Sequence, residues 1–174
     1  HLFYADGRAT PGTDITFFDW PVPPAQRGTH SIVCTGLRVG SEASLHWWTA
    51  RFEKLGVAHA PIAARDGRST LDFEDPEGQR LSLVEDAGGP SAHPWEKSAV
   101  PAEHQIRGLG PITISVPRLE PTDQLLTTLL AMRRARAYPR SAGAESATVQ
   151  VYEMGAGGPA AELHVAVEPG LPPA

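Results

Sequence analysis

Hydrophobic positions along this chain recur mostly in short runs of strand length, interrupted by two stretches with helical spacing. The first helical stretch starts after Ser41, a residue suited to an N-cap, carries Leu45 and Phe52 on one side, and stops at Gly56. The second covers residues 121–131. We therefore predict two amphipathic helices. The second is expected to bury four leucines, Leu125, Leu126, Leu129 and Leu130.

The remaining apolar runs are rich in β-branched and aromatic residues and lie between turn residues, a pattern that predicts strands. Many of the turns coincide with the 17 glycines and 17 prolines of the chain. The predicted strands cover residues 1–5, 14–20, 31–39, 57–63, 69–73, 80–85, 112–116, 132–138, 148–154 and 161–167.

One strand, one helix and three strands therefore follow each other twice, which indicates an internal structural repeat. Val39 and Val116 end the two first strands, Leu55 and Leu130 end the two helices, and the spacing within the two pairs is nearly the same. In such a βαβββ unit, we expect the sheet face that the helix leaves uncovered to be apolar. We predict an α+β fold in which two units pair into a curved mixed sheet that encloses a small-molecule site.

The predicted domain boundaries follow changes in composition. A Pro-rich linker separates the first two strands from the first complete unit, and a Pro/Gly/Ser-rich connector separates the two complete units. The chain starts inside a predicted strand and without Met, so we expect it to be the middle of a longer protein. The segments are 1–20 (terminal strands of a truncated unit), 21–28 (linker), 29–88 (unit), 89–105 (connector), 106–168 (unit) and 169–174 (tail).

Composition excludes several classes of protein. Lys and Arg number 15 against 20 Asp and Glu, for a net charge of −5, so no basic surplus exists to neutralise nucleic-acid phosphates. No apolar run reaches the roughly 18 residues of a membrane-spanning helix. The single cysteine, Cys34, excludes an internal disulfide and favours a reducing, cytoplasmic location. Its β-branched neighbours indicate a small core residue, not a thiolate ligand.

Other residues with chemical potential have simpler structural interpretations. Trp48 fits the buried stripe of the first helix, and Trp47 beside it is expected to be half-exposed. The glycine-rich segment 155–160 precedes a strand, so it predicts a hairpin loop and not a dinucleotide-binding turn. Three arginines are expected to cover a solvent-exposed strand edge: Arg133, Arg134 and Arg136.

Residues 75–81, Asp-Pro-Glu-Gly-Gln-Arg-Leu, resemble the final-strand signature of the vicinal oxygen chelate superfamily. That superfamily includes glyoxalases, bleomycin-resistance proteins and extradiol ring-cleaving dioxygenases, all built from βαβββ units. Within it, the chain is similar to ring-cleaving dioxygenases of the hydroquinone type. The stretches that carry this similarity are 1–6, 11–18, 27–29, 51–57, 94–104, 107–111 and 117–122.

The resemblance implies a parent protein of four units, about twice as long as this chain. Residues 1–20 would be the last strands of its first unit, 29–88 its second unit and 106–168 its third. The family implies cleavage of a small hydroquinone-like or catechol-like ring at an Fe(II) or Mn(II) ion held by two His and one carboxylate. These ligands are expected from the first strand of the first unit and from the fourth unit, both outside this chain.

Superfamily ligand positions on the first and last strands of each unit are mostly filled here by residues that do not bind metals. Only His164, with Glu162 two residues before it, could contribute ligands. A pair of this kind more commonly forms a hydrogen bond at a sheet rim. The resemblance therefore implies that this chain lacks the expected ligands, with Glu162 and His164 as the remaining candidates. The other positions are occupied by Phe17, Cys34, Ser82 and Pro111.

Three functions remain open. The first is part of a ring-cleaving dioxygenase, inactive alone, with His1, Phe3 and Phe17 lining an aromatic-substrate pocket from one face of the first strands. The second is metal-free binding or sequestration of a small molecule, as in bleomycin-resistance proteins. The third is a glyoxalase-type isomerase, which needs Glu or Gln at the ligand positions and is disfavoured. The unpaired strands of residues 1–20 also predict a homodimer or larger assembly.

Overall fold

The computed structural model describes residues 1–23, 26–89, 92–142 and 145–174, with side chains described outside 141–146. The chain forms two compact units. The first contains residues 1–23 and 36–110, and the second contains residues 24–35 and 111–174. The described part of the chain contains no helix long and apolar enough to cross a bilayer.

The first unit contains an isolated two-stranded sheet and a larger sheet with one helix, in which β5 pairs antiparallel with both β4 and β6. Its larger sheet runs in the order β4, β5, β6 and the end of β3. Its elements are β1 (Leu2–Tyr4), β2 (Ile15–Phe17), the end of β3 (Ser31–Val39), α1 (Glu42–Leu55), β4 (Ala63–Arg65), β5 (Arg68–Glu74), β6 (Arg80–Glu85), a 3₁₀ turn (Ala102–His104) and the start of β7 (Gly108–Val116).

The second unit contains most of β7, a short helix and a three-stranded antiparallel meander. Its sheet runs in the order β7, β10, β9, β8, with β7 and β10 parallel. Its further elements are α2 (Glu120–Gln124), a π-helical turn (Leu125–Leu129), β8 (Arg133–Ala142), β9 (Glu145–Glu153) and β10 (Glu162–Val167). The predicted repeat of βαβββ units and the α+β class are confirmed.

Helix α1 forms as its terminal residues predict. The Ser41 side chain accepts a hydrogen bond from the Ser44 backbone N–H at 3.3 Å, and Gly56 ends the helix with φ of 69°. The helix buries Leu45 and Phe52 against one face of the first unit's sheet. Trp48 is partly buried against the same core, as predicted, and its Nε1 donates to the His104 carbonyl at 2.8 Å.

The second helical stretch differs from its prediction. Of the four leucines, Leu126 alone is buried, and Leu129 is 74% exposed. Residues 125–129 form a π-helical turn, which widens the spiral and breaks the 3.6-residue spacing on which the prediction rests. Leu126 packs with Val116, Met132 and Val165 in the core of this unit.

Hydrogen bonds connect helix α2 to strands β8 and β9. The Tyr152 hydroxyl donates to the Asp123 carboxylate at 2.6 Å, and Arg134 Nε donates to the same oxygen at 3.0 Å. Hydrogen bonds from Arg134 and then Tyr152 lower the pKa of Asp123. Burial, followed by the bond to Asp123, raises the pKa of Tyr152 to about 12. Asp123 therefore stays charged and Tyr152 neutral at physiological pH.

The predicted strand over residues 57–63 is wrong for most of its length. Regular pairing begins only at Ala63, which faces Thr70 on β5. Before it, the chain touches the sheet through one isolated bridge, between His59 and Phe73. Pro61 lies in this segment and has no N–H to offer a ladder, which accounts for the interruption.

In each unit, an acidic residue directly after the last strand donates a backbone hydrogen bond to the end of the first strand. The Asp86 N–H donates to the Val39 carbonyl at 2.8 Å, and the Glu168 N–H donates to the Val116 carbonyl, also at 2.8 Å. Val39 and Val116 are the equivalent strand ends identified from the sequence. The repeat therefore extends to individual backbone hydrogen bonds.

In the first unit, this acidic residue binds a buried arginine. Asp86 Oδ2 lies 2.6 Å from Arg38 Nη1, and both side chains are at most 5% exposed. Arg38 Nε also donates to the Leu109 carbonyl at 2.7 Å, and Nη2 to the Arg107 carbonyl at 3.4 Å. A Cβ on Gly89 would overlap the Asp86 carboxylate, which therefore occupies space that only glycine leaves free.

The isolated sheet of β1 and β2 presents its aromatic residues to solvent. Phe3 is 70% and Tyr4 is 54% exposed, and Trp20, which follows the sheet, is 64% exposed. Its loop joins the rest of the first unit through the Gly12 carbonyl, which accepts from the Leu109 N–H at 2.8 Å. A two-stranded sheet is marginally stable without further packing, so this one depends on such contacts.

We expect Asp86→Ala to destabilise the chain by about 3–5 kcal/mol, because it leaves the buried Arg38 charge without its carboxylate. The control is Glu42→Ala, which removes the exposed partner of His46 in a 3.8 Å ion pair and should change stability by less than about 1 kcal/mol. Urea unfolding followed by circular dichroism gives both values. Equal losses in the two variants would contradict the role assigned to the buried pair.

Candidate functional site

A cluster of polar side chains lies on the face of the second unit's sheet that α2 does not cover. In the antiparallel register of β10 and β9, Glu162 faces Glu153 and His164 faces Val151. The alternate residues Leu163 and Val165 point the other way and pack with the helix. Strand alternation therefore places Glu153, Glu162 and His164 side by side.

His164 is held at both ring nitrogens. Its Nδ1 lies 2.9 Å from the Tyr138 hydroxyl, and its Nε2 lies 3.2 Å from Glu162 Oε2. The imidazole is only 5% exposed. An ionised carboxylate only accepts hydrogen bonds, so we assign the proton to Nε2, and Nδ1 accepts from the Tyr138 hydroxyl.

Arg136 connects the two carboxylates of the cluster. Its Nη2 donates to Glu162 Oε1 and its Nη1 to Glu153 Oε1, each at 3.0 Å. Arg133 Nη2 also donates to Glu153, at 3.3 Å. The Glu162 side chain is completely buried, so a paired cation is needed to keep it ionised.

The expected solvent-edge role of Arg136 is wrong, and a β-bulge explains the error. Arg134 pairs with Tyr152, but the next pair in the register is Arg136 with Val151, so Ala135 is skipped. Without the bulge, Arg136 would share the helix-side face of Arg134. The extra residue turns Arg136 onto the face of His164 instead.

The first unit carries a smaller polar group at the corresponding place. Ser82 on β6 and His164 on β10 are separated by the same number of residues as the closing residues Asp86 and Glu168. Ser82 faces Asp72 in the β5–β6 register and is 2% exposed, and its Oγ has no hydrogen-bond partner among the described residues. Asp72 pairs with Arg65 on β4.

The expectation that the uncovered sheet faces are apolar holds only in part, because these faces bury Val84 and Val151 but also carry charged groups. Each face carries an arginine paired with a carboxylate, Arg65 with Asp72 and Arg136 with Glu162. Ion pairing allows charged groups to occupy positions that the hydrophobic pattern reserved for apolar residues.

The three aromatic residues proposed for a substrate pocket do not share one face of the β1–β2 sheet. Phe3 pairs with Thr16, and Leu2 pairs with Phe17, so Phe3 and Phe17 point in opposite directions. His1 belongs with Phe3, at 4.6 Å between ring centroids. The register of this short hairpin was not available from its sequence, since both of its faces are exposed.

Sequence and structure comparisons show which proteins this chain resembles. No protein-family model matches the chain. The chain is 42% identical over 174 residues to a Bacillus subtilis protein described as a ring-cleaving dioxygenase, MhqA, covering 99% of this chain and 54% of that protein. The crystal structure of a Bacillus subtilis protein described as a dioxygenase superimposes with a TM-score of 0.77 at 26% identity, covering 97% of this chain and 51% of the other.

The chain has the fold of the vicinal oxygen chelate superfamily.

Two further proteins are similar to the chain over about half of their own length. The chain is 27% identical over 173 residues to the chlorohydroquinone/hydroquinone 1,2-dioxygenase of Sphingobium indicum, covering 97% of this chain and 50% of that enzyme. Maize glyoxalase I has the same fold, with a TM-score of 0.56 at 14% identity, over 82% of this chain and 44% of the maize chain. The chain spans about half the length of the curated relatives it matches.

The superfamily ligand positions hold few groups that bind metals in either unit. Phe17, Pro111 and Cys34 lie on β2, β7 and β3, and of these only Cys34 carries an atom that binds metals. Cys34 is half-buried, in partial agreement with the predicted core role. In the second unit, Glu162 and His164 supply a carboxylate and an imidazole, the donor types of the superfamily's metal sites.

The second unit by itself does not fit a divalent ion without rearrangement. Glu162 Oε1 is bound by Arg136, Glu162 Oε2 by His164 Nε2, and His164 Nδ1 by Tyr138. A metal would have to displace the guanidinium and take the proton-bearing nitrogen. The observed arrangement is a closed network of hydrogen bonds and ion pairs, and no metal-dependent step follows from it.

We expect Glu162→Ala to destabilise the chain by about 3–5 kcal/mol, because it leaves Arg136 and His164 without their buried acceptor. Glu153→Ala removes the other carboxylate, whose side chain is 20% exposed, and should cost less than half as much. Urea unfolding measures both losses. A larger loss for the Glu153 variant would contradict the central position given to Glu162.

Proposed function

We propose that the parent protein of this chain is a metal-dependent, extradiol-type dioxygenase that cleaves hydroquinone-like or catechol-like rings. The observation that carries the proposal is the 42% identity, along nearly the whole chain, to a protein described as a ring-cleaving dioxygenase. The relative from Sphingobium indicum is described as acting on hydroquinones. Because the chain spans about half of each relative, the activity belongs to the longer protein.

We place the catalytic metal, Fe(II) or Mn(II), on residues outside this chain. The support is the guanidinium of Arg136, which already neutralises the best carboxylate of the second unit. When bound, such an ion offers open positions to ring oxygens and dioxygen. The two units of this chain would then form the supporting half of the enzyme.

This supporting half contributes aromatic contacts in the proposal. His1 and Phe3 present adjacent rings on one face of the β1–β2 sheet, and Tyr4 and Phe17 have ring centroids 5.8 Å apart. These rings offer the flat apolar surface that an aromatic substrate packs against. We assign His1 and Phe3 to contact with the substrate ring on this basis, whereas Phe17 lies on the opposite face of the sheet and does not contact the same ring.

The second candidate function is metal-free binding of a small molecule, as in bleomycin-resistance proteins. The observation that favours it is the same closed network at Arg136, Glu162 and His164, which keeps a polar binding face charged without any metal. A drug-sized aromatic ligand that raises the melting temperature of the chelator-treated chain would support this function. Ligand binding only in the presence of metal would contradict it.

Oxygen uptake and metal content test the leading proposal. We expect the full-length parent to hold Fe or Mn and to consume dioxygen with a hydroquinone substrate, and chelation to abolish the uptake. The chain described here should show neither property, because its expected ligands lie elsewhere. No uptake by the metal-loaded parent would refute the dioxygenase assignment, and stoichiometric Fe or Mn in the short chain would refute the ligand assignment.

The homodimer expected from the sequence stays a prediction. We expect size-exclusion chromatography with light scattering to give a mass at least twice that of one chain, because the exposed aromatic residues of β1–β2 favour association. Trp20→Ser should shift the chain toward monomer, whereas Leu129→Ser, at a comparably exposed position of the second unit, should not. A monomer at high concentration would contradict the prediction.

A further inference from the structure

A small cavity in the first unit is lined by the segment that leads into β7. Its volume is about 240 Å³, below the roughly 300–1,000 Å³ of sites for drug-sized ligands, so it suits a smaller molecule. Two of its lining residues, Pro94 and Ala102, are exposed, so the cavity lies at the surface. The lining residues are Ala92, Pro94, Ala102, Gln105, Ile106 and Arg107.

One of the two polar side chains of the cavity is already occupied. Gln105 Oε1 accepts from the Trp95 N–H at 2.8 Å, and its Nε2 donates to the carbonyls of Trp95 at 3.1 Å and Val100 at 2.9 Å. Both amide hydrogens are therefore used. Gln105 holds the loop beside the cavity in place and leaves Arg107 as the polar group that a ligand can bind.

The guanidinium of Arg107 is held in position by the protein but keeps free donors. Its Nη1 donates to the main-chain carbonyl of Asp86 at 3.2 Å. The guanidinium also lies against Gly40, where a Cβ would overlap it. Its Nε and Nη2 have no hydrogen-bond partner among the described residues.

The positive charge of Arg107 is not balanced by a carboxylate. The Asp86 side chain is bound to Arg38 at 2.6 Å, and no carboxylate of the described residues forms an ion pair with Arg107. Two guanidinium groups therefore accompany one carboxylate, which leaves one positive charge in excess. Arginine does not lose its proton, so this charge persists and attracts an anion.

We propose that this cavity binds a small monocarboxylate with an apolar body. The carboxylate pairs with Nε and Nη2 of Arg107, because adjacent guanidinium donors match the two oxygens of a carboxylate. The body of the ligand packs against the apolar part of the lining, which includes Ala92, Pro94 and Ile106. This inference concerns the first unit alone and does not depend on the ring-cleaving activity proposed above.

Titration with a charged ligand and its neutral analogue tests the proposal. Benzoate and benzamide have nearly the same shape, but only benzoate carries a negative charge. We expect the chain to bind one equivalent of benzoate in calorimetry, and benzamide at least tenfold more weakly, because the neutral amide cannot compensate the charge of Arg107.

Arginine variants assign the charge to one residue. Arg107→Gln should weaken benzoate binding at least tenfold. The matched control is Arg80→Gln, which removes the same charge from an exposed ion pair with Glu74 on the strands β5 and β6 and should leave binding unchanged. Circular dichroism checks the fold of both variants.

Gly40→Ala tests the position of the guanidinium without changing any charge. The added Cβ occupies the space of the Arg107 guanidinium, the mobile end of a long side chain, so the variant should fold normally and bind benzoate at least threefold more weakly. This variant keeps the test decisive if Arg107→Gln does not fold.

Amide shifts in an ¹⁵N-labelled chain locate the ligand, and we expect benzoate to shift the signals of Ala102, Ile106 and Arg107. Absence of benzoate binding, or equal binding of benzamide, overturns the proposal. Equal losses in Arg107→Gln and Arg80→Gln would show nonspecific attraction to net charge. Unchanged binding in Gly40→Ala, or shifts confined to the second unit, would likewise refute the assigned site.

Discussion

Arg38 and Asp86 form a charge pair in the interior of the first unit, and much of that unit is arranged to satisfy it. A buried guanidinium is costly unless its donors find acceptors, and Arg38 finds the carboxylate of Asp86 together with two backbone carbonyls. These acceptors come from the end of β6 and the start of β7. The pair therefore holds together the end of β3, the end of β6 and the start of β7. The Asp86 carboxylate also leaves no room for a Cβ at position 89, which is a glycine.

In the second unit, the corresponding carboxylate has a neutral hydrogen-bond partner. Its closing residue, Glu168, accepts a hydrogen bond at 2.5 Å from the hydroxyl of Ser115, which replaces Arg38 in the repeat. The backbone hydrogen bond to the end of the first strand is the same in both units. In the second unit, however, the arginine that neutralises a buried carboxylate lies on β8. There Arg136 neutralises Glu153 and Glu162. Each unit thus carries a buried carboxylate and supplies its partner from a different strand.

Features governed by local chemistry were predictable from the sequence. The N-cap Ser41 and the αL residue Gly56 define α1, and the matching ends at Val39 and Val116 reveal the repeat. Features governed by tertiary geometry were not. The π-helical turn exposes Leu129, and the bulge after Arg134 turns Arg136 inward. Neither irregularity is visible in the hydrophobic pattern of the sequence.

The candidate site was predictable only in part for the same reason. Glu162 and His164 follow from strand alternation on β10, whereas their partners on β8 reach the same face only through the observed register.

The skipped residue Ala135 makes the charge of this sheet face depend on pairing at a single position. Deleting the codon for Ala135 would remove the bulge but leave Arg136 and Tyr138 beside Glu162 and His164, because Arg134 and Arg136 already pair with consecutive residues of β9. Regular pairing of Ala135 with Val151 at unchanged chain length would instead move Arg136 and Tyr138 to the helix side. A substitution that favours regular pairing at this position would therefore change the electrostatics of the face while every charged side chain remained present.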